Sequence, residues 1–286
     1  MTIAVVTGAR GFIGAATAAA LETVGTRVIR VGASSTPDPL TPEIFESLGS
    51  FDMIVHCAGG SSVAASVADP RADFAKTVEP FAALLEHVRT RSPSAGVVLL
   101  SSAAVYGDAK QQPTPETATL SPASPYGEHK QKCEELAAMY GAEHGVASVV
   151  LRLFSVYGAG LRKQLLWDAC TKASRGETKF AGTGDEVRDW LHIDDAVRLI
   201  MAVAPLASTS APIFNGGGGA ARVRDVLARI YSNLAAGSPT FSGEVRAGDP
   251  KSYVADTGKA RATGWRPTVG LDEGIARFVS WFRGQA

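Results

Sequence analysis

Short runs of apolar and β-branched residues alternate along the chain with stretches whose composition favours helices. These runs predict strands, which fall at residues 2–6, 27–31, 51–57, 96–101 and 146–153. The Ala-rich segment 14–24 predicts a helix between the first two strands, so the chain begins with one strand–helix–strand unit. Because the same alternation continues to residue 153, the pattern predicts an α/β fold with a doubly wound, parallel sheet.

Composition excludes several classes of partner. The 286 residues include 28 Lys and Arg against 28 Asp and Glu, so no net charge attracts the chain to nucleic acid or to an anionic membrane. No apolar stretch reaches the roughly 18 residues of a membrane span, and Gly8 and Arg10 interrupt the N-terminus where a signal peptide would be apolar. We therefore expect a cytoplasmic protein. The cysteines Cys57, Cys133 and Cys170 are odd in number and far apart, which predicts neither disulfides nor a metal site.

Three glycines follow the first predicted strand at intervals of three residues, namely Gly8, Gly11 and Gly14. Backbone amides at the start of the next helix can bind a pyrophosphate there, although a tight turn with close helix packing would also use such glycines. With Thr7 before it, this spacing resembles that of the extended short-chain dehydrogenase/reductase family, and it implies a Rossmann-type fold. The predicted dinucleotide contacts in this loop are Gly8, Arg10, Gly11, Phe12, Ile13 and Gly14.

The alternation of strands and helices becomes less regular after residue 155, where glycines are frequent and apolar runs are short. We expect a dinucleotide-binding domain at 1–155, to which 186–205 returns, and a smaller substrate-binding region at 156–185 and 206–286. Further helices are predicted at 126–143, 196–204, 223–234 and 271–282.

The end of the second predicted strand bears on the choice of cofactor. NAD sites usually have an acidic residue there, whereas NADP sites have arginine. Here the strand ends at Arg30, Val31 and Gly32, and no acid follows directly. We therefore expect NADP(H), with Arg10 and Arg30 near its 2′-phosphate. NAD(H) remains the alternative if both arginines are simply solvated.

Members of the resembled family use a tyrosine as acid and base, with a lysine four residues later whose ammonium favours the phenolate. Two pairs have this spacing, Tyr106/Lys110 and Tyr126/Lys130. Pro113 and Pro115 prevent a helix after Lys110, so the first pair need not share a face. Before Tyr126, Ser124 and Pro125 look like a helix N-cap and first helical residue. Tyr126 and Lys130 are therefore the predicted catalytic pair.

Further motifs along the chain match the same family, in its branch of nucleotide-sugar epimerases, dehydratases and reductases. They are His56–Gly59, Leu99–Gly107, Pro125–Lys130, Arg152–Gly158, Arg188–Asp195 and Gly264–Pro267. The resemblance implies that Ser102 hydrogen-bonds the reacting oxygen, that Ala58 and Gly59 line the cofactor, and that Arg188 and Arg246 contact a diphosphate. Arg162 and Lys163 are weaker candidates for that contact.

Two departures from the family pattern limit the expected reaction. Ala103 and Ala104 stand where the dehydratases have an Asp–Glu pair, and Ser155 stands where many epimerases have a substrate-binding asparagine. The resemblance implies a nucleoside-diphosphate sugar substrate and a homodimer. Because a reductase must exchange its cofactor and no acid favours NAD, we expect an NADPH-dependent 4-keto sugar reductase. An NAD-dependent 4-epimerase is the alternative, and a non-catalytic NADP-binding sensor is a third possibility.

Overall fold

The computed structural model describes residues 2–32, 40–244 and 252–285, in which twelve strands and ten α-helices are described. The strands are β1 Ile3–Thr7, β2 Arg27–Val31, β3 Met53–His56, β4 Gly96–Ser102, β5 Ser148–Leu153, β6 Ser155–Tyr157, β7 Lys179–Phe180, β8 Val187–His192, β9 Ile213–Gly216, β10 Ala220–Arg222, β11 Thr240–Phe241 and β12 Ser252–Tyr253. The helices are α1 Phe12–Thr23, α2 Pro42–Glu46, α3 Val63–Ala68, α4 Pro70–Arg91, α5 Pro125–His144, α6 Gln164–Ser174, α7 Ile193–Val203, α8 Val223–Leu234, α9 Gly258–Ala262 and α10 Leu271–Arg283.

The main sheet is parallel and has six strands in the order β2-β1-β3-β4-β5-β9. Successive residues of each strand face opposite sides, so β1 sends Val5 toward one core and Val6 toward the other. On one side α1 and α7 pack against the sheet, and on the other side α4 and α5 do so. This burial of both faces explains why the strands read as continuous apolar runs, and the predicted α/β Rossmann-type fold is confirmed.

The less regular part of the chain forms a smaller layer beside the carboxyl ends of the main strands. Strand β8 pairs with β6, β10 and β12, and β7 pairs with β11. Helices α6, α8 and α10 bury a separate apolar core that includes Leu166, Leu227, Ile230 and Phe278.

The strands and helices that the sequence predicts are found, with ends that differ by at most three residues. Strand β9 lies inside segment 206–286, which we expect to belong to the substrate-binding region, yet it pairs with β5 in the main sheet. This strand has only four residues and ends at a glycine, so no apolar run marks it. Within the described ranges, no helix is long and apolar enough to cross a membrane.

Candidate active site

The glycine loop joins β1 to α1 at the carboxyl edge of the main sheet. Gly8 has a φ of +63°, and a Cβ built there would lie 2.9 Å from the backbone nitrogen of Ala58. A Cβ on Gly14 would overlap the carbonyl oxygen of Gly8. Helix α1 begins after Gly11, whose lack of a side chain leaves the first amides without a side-chain cap. These features fit the pyrophosphate of a dinucleotide, for which Phe12, Ile13 and Gly14 would supply N–H groups.

The loop after β3 lies directly beside the glycine loop. Ala58 donates its backbone N–H to Oγ1 of Thr7 at 3.2 Å. A Cβ built on Gly59 would lie 3.5 Å from Nζ of Lys130, so this loop also contacts the predicted catalytic helix. The structure therefore brings together the β1 loop, Ala58, Gly59 and Lys130, which the sequence places far apart.

Helix α5 presents Tyr126 and Lys130 at the same edge. Ser124 caps the helix by accepting from the N–H of Gly127 at 3.3 Å, and Pro125 is its first residue, as predicted. Nζ of Lys130 lies 5.9 Å from the centre of the Tyr126 ring and donates to the carbonyl of Leu100 at 3.0 Å. The lysine is therefore fixed between the tyrosine and the end of β4.

Tyr106 belongs to a buried polar network and not to this pair. Its hydroxyl donates to Oδ1 of Asn215 at 2.7 Å and accepts from Nη1 of Arg152 at 2.9 Å. Arg152 also forms a buried ion pair with Glu134, at 2.6 Å between Nη2 and Oε2. Burial raises the pKa of Tyr106, which disfavours its phenolate. This environment supports Tyr126 as the acid/base candidate.

Ser102 ends β4 and lies at the carboxyl edge with Tyr126. Its Oγ accepts from the N–H of Ala104 at 3.2 Å and caps the short 3-10 helix Ala103–Tyr106. Because the hydroxyl accepts in this bond, its proton can be donated to a substrate oxygen. Ala103 and Ala104 offer only methyl groups at the positions where a dehydratase would need an acid and a base.

Two titratable groups near Lys130 are held neutral. Burial, with a smaller contribution from the charge of Lys130, lowers the pKa of His56 to about 3. Its Nδ1 lies 3.0 Å from Oγ1 of Thr7, and among the described residues its buried Nε2 has no hydrogen-bond partner. Burial also raises the pKa of the Cys57 thiol to about 12. Neither group is suited to proton transfer near neutral pH.

Arg30 pairs with Val6 near the end of β1, but its guanidinium is directed toward α1. Its guanidinium forms two hydrogen bonds with Glu22 near the end of α1, at 3.1 and 2.8 Å. Because α1 starts at the glycine loop, that pair lies at the opposite end of the helix. The expected contact of Arg30 with a 2′-phosphate stays a prediction and would require this ion pair to open, whereas Arg10 is exposed in the loop itself.

Arg188, one of the two expected diphosphate contacts, lies in the smaller layer. The guanidinium carbon of Arg188 on β8 lies 5.6 Å from the centre of the Tyr253 ring. Tyr253 packs against Phe154, which in turn contacts Tyr106 at the end of the 3-10 helix that follows Ser102. Ser155 follows Phe154 and is half-buried in β6. Two other candidates, Arg162 and Lys163, bond to Gln285 and Ser61, and Arg246 lies outside the described residues.

Several residues that support this arrangement were not predicted from the sequence. Ser66 accepts from the N–H of Tyr126 at 3.0 Å, and Thr77 accepts from the N–H of Gly60 at 2.8 Å. Asp189 accepts from the N–H groups of Gly218 and Gly219, at 2.6 and 2.8 Å. Asp189 belongs to the motif Arg188–Asp195, but the residues around Ser66 and Thr77 form no motif that predicts these contacts.

Comparison with known proteins assigns the chain to one family. Residues 4–217 match the NAD dependent epimerase/dehydratase family. A UDP-glucose 4-epimerase of Lactobacillus helveticus is 30% identical over 264 residues, which cover 81% of this chain and 77% of that protein.

Solved structures agree with this match. The UDP-glucose 4-epimerase of Thermotoga maritima with UDP-glucose superposes with a TM-score of 0.90 at 28% identity, over 99% of both chains. The UDP-glucose 4-epimerase of Thermus thermophilus in complex with NAD has a TM-score of 0.89 at 25% identity, over 100% of both chains. The chain is therefore an enzyme of the NAD-dependent epimerase/dehydratase family, within the extended short-chain dehydrogenases/reductases.

Proposed function

We propose that the protein is an NAD-dependent 4-epimerase of a UDP-hexose. The observation that carries this proposal is the placement of Tyr126 and Lys130 on one helix, with Lys130 beside the loop that holds Ala58 and Gly59. The relatives named above act as UDP-glucose 4-epimerases, which favours this reaction over the 4-keto sugar reductase that the sequence suggested.

In this proposal the side chains of the site have distinct tasks. Held at the glycine loop by the N–H groups of Phe12, Ile13 and Gly14, NAD would supply reversible hydride transfer at C4 of the sugar. Tyr126 accepts the proton of the C4 hydroxyl and later gives it back. The ammonium of Lys130 attracts the negative charge that forms on Tyr126, and Ser102 donates a hydrogen bond to the reacting oxygen. Arg188 binds the diphosphate.

NAD is preferred to NADP in this proposal for two reasons. The guanidinium of Arg30 already pairs with Glu22 near the C-terminal end of α1, so a contact with a 2′-phosphate would have to compete with that ion pair. A related 4-epimerase of the same fold is described in complex with NAD. An epimerase also regenerates its cofactor in every cycle, so tightly held NAD is compatible with turnover.

The test combines the retained cofactor with the reaction. The purified protein is denatured, and the released nucleotide is identified by chromatography. The protein is then incubated with UDP-glucose or UDP-galactose, and the sugar epimers are followed by NMR. Bound NAD and conversion in both directions support the proposal. Consumption of added NADPH with a 4-keto sugar, without epimer formation, would instead favour the reductase.

A further inference from the structure

The loop between Ser102 and helix α5 pairs with the segment that follows residue 251. Thr114 donates its N–H to the carbonyl of Val254 at 2.8 Å, and Asp256 donates to the carbonyl of Thr114 at 2.9 Å. A β-bridge joins Thr114 to Ala255. The segment 252–256 is thus held along one side by the loop that connects the predicted catalytic elements.

The side chain of Gln112 extends this pairing by two further bonds. Its Oε1 accepts from the N–H of Val254 at 2.9 Å, and its Nε2 donates to the carbonyl of Ser252 at 3.2 Å. The amide therefore bonds to the backbone of residues 252–254 as a neighbouring strand would. Nε2 also donates to the carbonyl of Ala109 within the same loop at 3.3 Å, and because Gln112 is exposed, its side chain acts through these hydrogen bonds and not in a core.

The other side of the same segment contacts the candidate diphosphate site. Ser252 and Tyr253 pair with Val187 and Arg188 of β8. Ala255 donates its N–H to Oδ2 of Asp189 at 3.0 Å. The segment therefore lies between Arg188 and the loop that continues from Ser102 to Tyr126.

We propose that Gln112 is a positioning residue for nucleotide-sugar binding, because it holds segment 252–254 in register with the loop between Ser102 and α5 and so places Arg188 and Tyr253 against the nucleotide. The inference rests on the proposed function for the identity of the ligand. Gln112 makes no direct contact with the reacting atoms in this proposal. Its loss should therefore weaken binding of the nucleotide and leave the chemical step nearly unchanged.

The experiment compares Gln112→Ala and the apolar variant of similar length, Gln112→Met, with Gln111→Ala as a control. Gln111 is exposed, and its carbonyl, which accepts from Thr114, remains in the alanine variant. Both Gln112 variants should raise KM for the UDP-hexose and Kd for UDP about tenfold, while kcat and NAD content stay within about twofold. Gln111→Ala should match the wild type. Faster amide hydrogen exchange at residues 252–256 is expected in the Gln112 variants alone.

The possible outcomes separate the two proposals. Unchanged KM, Kd and exchange in the Gln112 variants would overturn the positioning role and leave the epimerase proposal intact. A fall in kcat at constant KM would also overturn it. If the wild type binds UDP but produces no epimer, the epimerase proposal fails, and the UDP titration still decides the role of Gln112. If the wild type binds none of UDP, GDP and dTDP, both proposals fail.

Discussion

Tyr106 donates its phenolic proton to Asn215 at 2.7 Å, and this bond distinguishes the two tyrosines that have a lysine four residues later. Asn215 lies on β9 and also donates to the carbonyl of Thr114 at 2.9 Å. The phenol of Tyr106 thus connects the main sheet with the loop that leads to α5. Within the described ranges, the hydroxyl of Tyr126 has no hydrogen-bond partner.

Substitution of each tyrosine by phenylalanine should therefore have a different effect. Tyr126→Phe should lower kcat by a factor of about 10²–10⁴, because it removes the acid/base, with little change in thermal stability. Tyr106→Phe should lower the free energy of unfolding by about 1–3 kcal/mol, because Arg152 and Asn215 lose a buried partner. Turnover and thermal unfolding are measured for both.

Tyr140→Phe on the same helix is the control, because Tyr140 is remote from the catalytic end of α5. It should keep the turnover of the wild type, and because the hydroxyl of Tyr140 makes a long, exposed bond to Glu86, at 3.4 Å, it should lose less stability than Tyr106→Phe. Equal losses of turnover in Tyr126→Phe and Tyr106→Phe, with both proteins folded, would contradict the assignment of the acid/base.

Arg30→Ala should not change the preference between NAD and NADP. The guanidinium is paired with Glu22, so its removal takes no contact from a 2′-phosphate. Affinities for NAD⁺ and NADP⁺ are measured by titration of cofactor-free protein, with Arg10→Ala as the comparison. A selective loss of NADP⁺ affinity in Arg30→Ala would show that the arginine leaves Glu22 when the dinucleotide binds.

The protein should have no 4,6-dehydratase activity. Removal of water across C5 and C6 requires proton transfer at both positions, and the methyl groups of Ala103 and Ala104 cannot move protons. Incubation with dTDP-glucose and with GDP-mannose, followed by an assay for the 4-keto-6-deoxy product, tests this. Enzymatic formation of that product would mean that other residues serve as the acid and base.

His56 should make the protein less stable in acid. Its pKa is about 3 in the folded protein, against 6.5 for the ordinary side chain, so the unfolded chain binds the extra proton between these values. Above pH 6.5 His56 is neutral in both states and does not affect the pH dependence of stability. As the pH falls from 6.5 toward 3, protonation of the unfolded chain lowers the free energy of unfolding. The expected slope is about 1.4 kcal/mol per pH unit.

Denaturant unfolding of the wild type and of His56→Asn, repeated between pH 7 and pH 4, measures this contribution. The variant should lose less stability on acidification, although it is less stable at pH 7 if the contact with Thr7 is weakened. His192, whose pKa is also lowered by burial, remains in both proteins and cancels in the comparison. Parallel stability curves would contradict the role of His56.

Local patterns were sufficient for much of the fold and for part of the candidate site. The start of α5 follows from Ser124 and Pro125, and the glycine loop follows from the spacing of three glycines. Contacts between distant segments have no such pattern. Gln112 and Val254 are 142 residues apart, and neither shows in its own neighbourhood that the two will pair. Arg30 likewise offered no sign that Glu22 would bind it, because that contact depends on how α1 crosses β2.

The buried pair of Glu134 and Arg152 has a further consequence for the proposed epimerisation. Separating the pair would leave a charge without compensation, at a cost of about 3–5 kcal/mol, so α5 and β5 should move as one body during turnover. Ser101 at the end of β4 also donates to Glu134, which includes the strand of Ser102 in that body. Tyr126 on α5 and Ser102 on β4 should therefore keep their spacing throughout turnover. In the proposed epimerisation, both faces of C4 then meet the same fixed pair of side chains, and it is the sugar that has to rotate between the two hydride transfers.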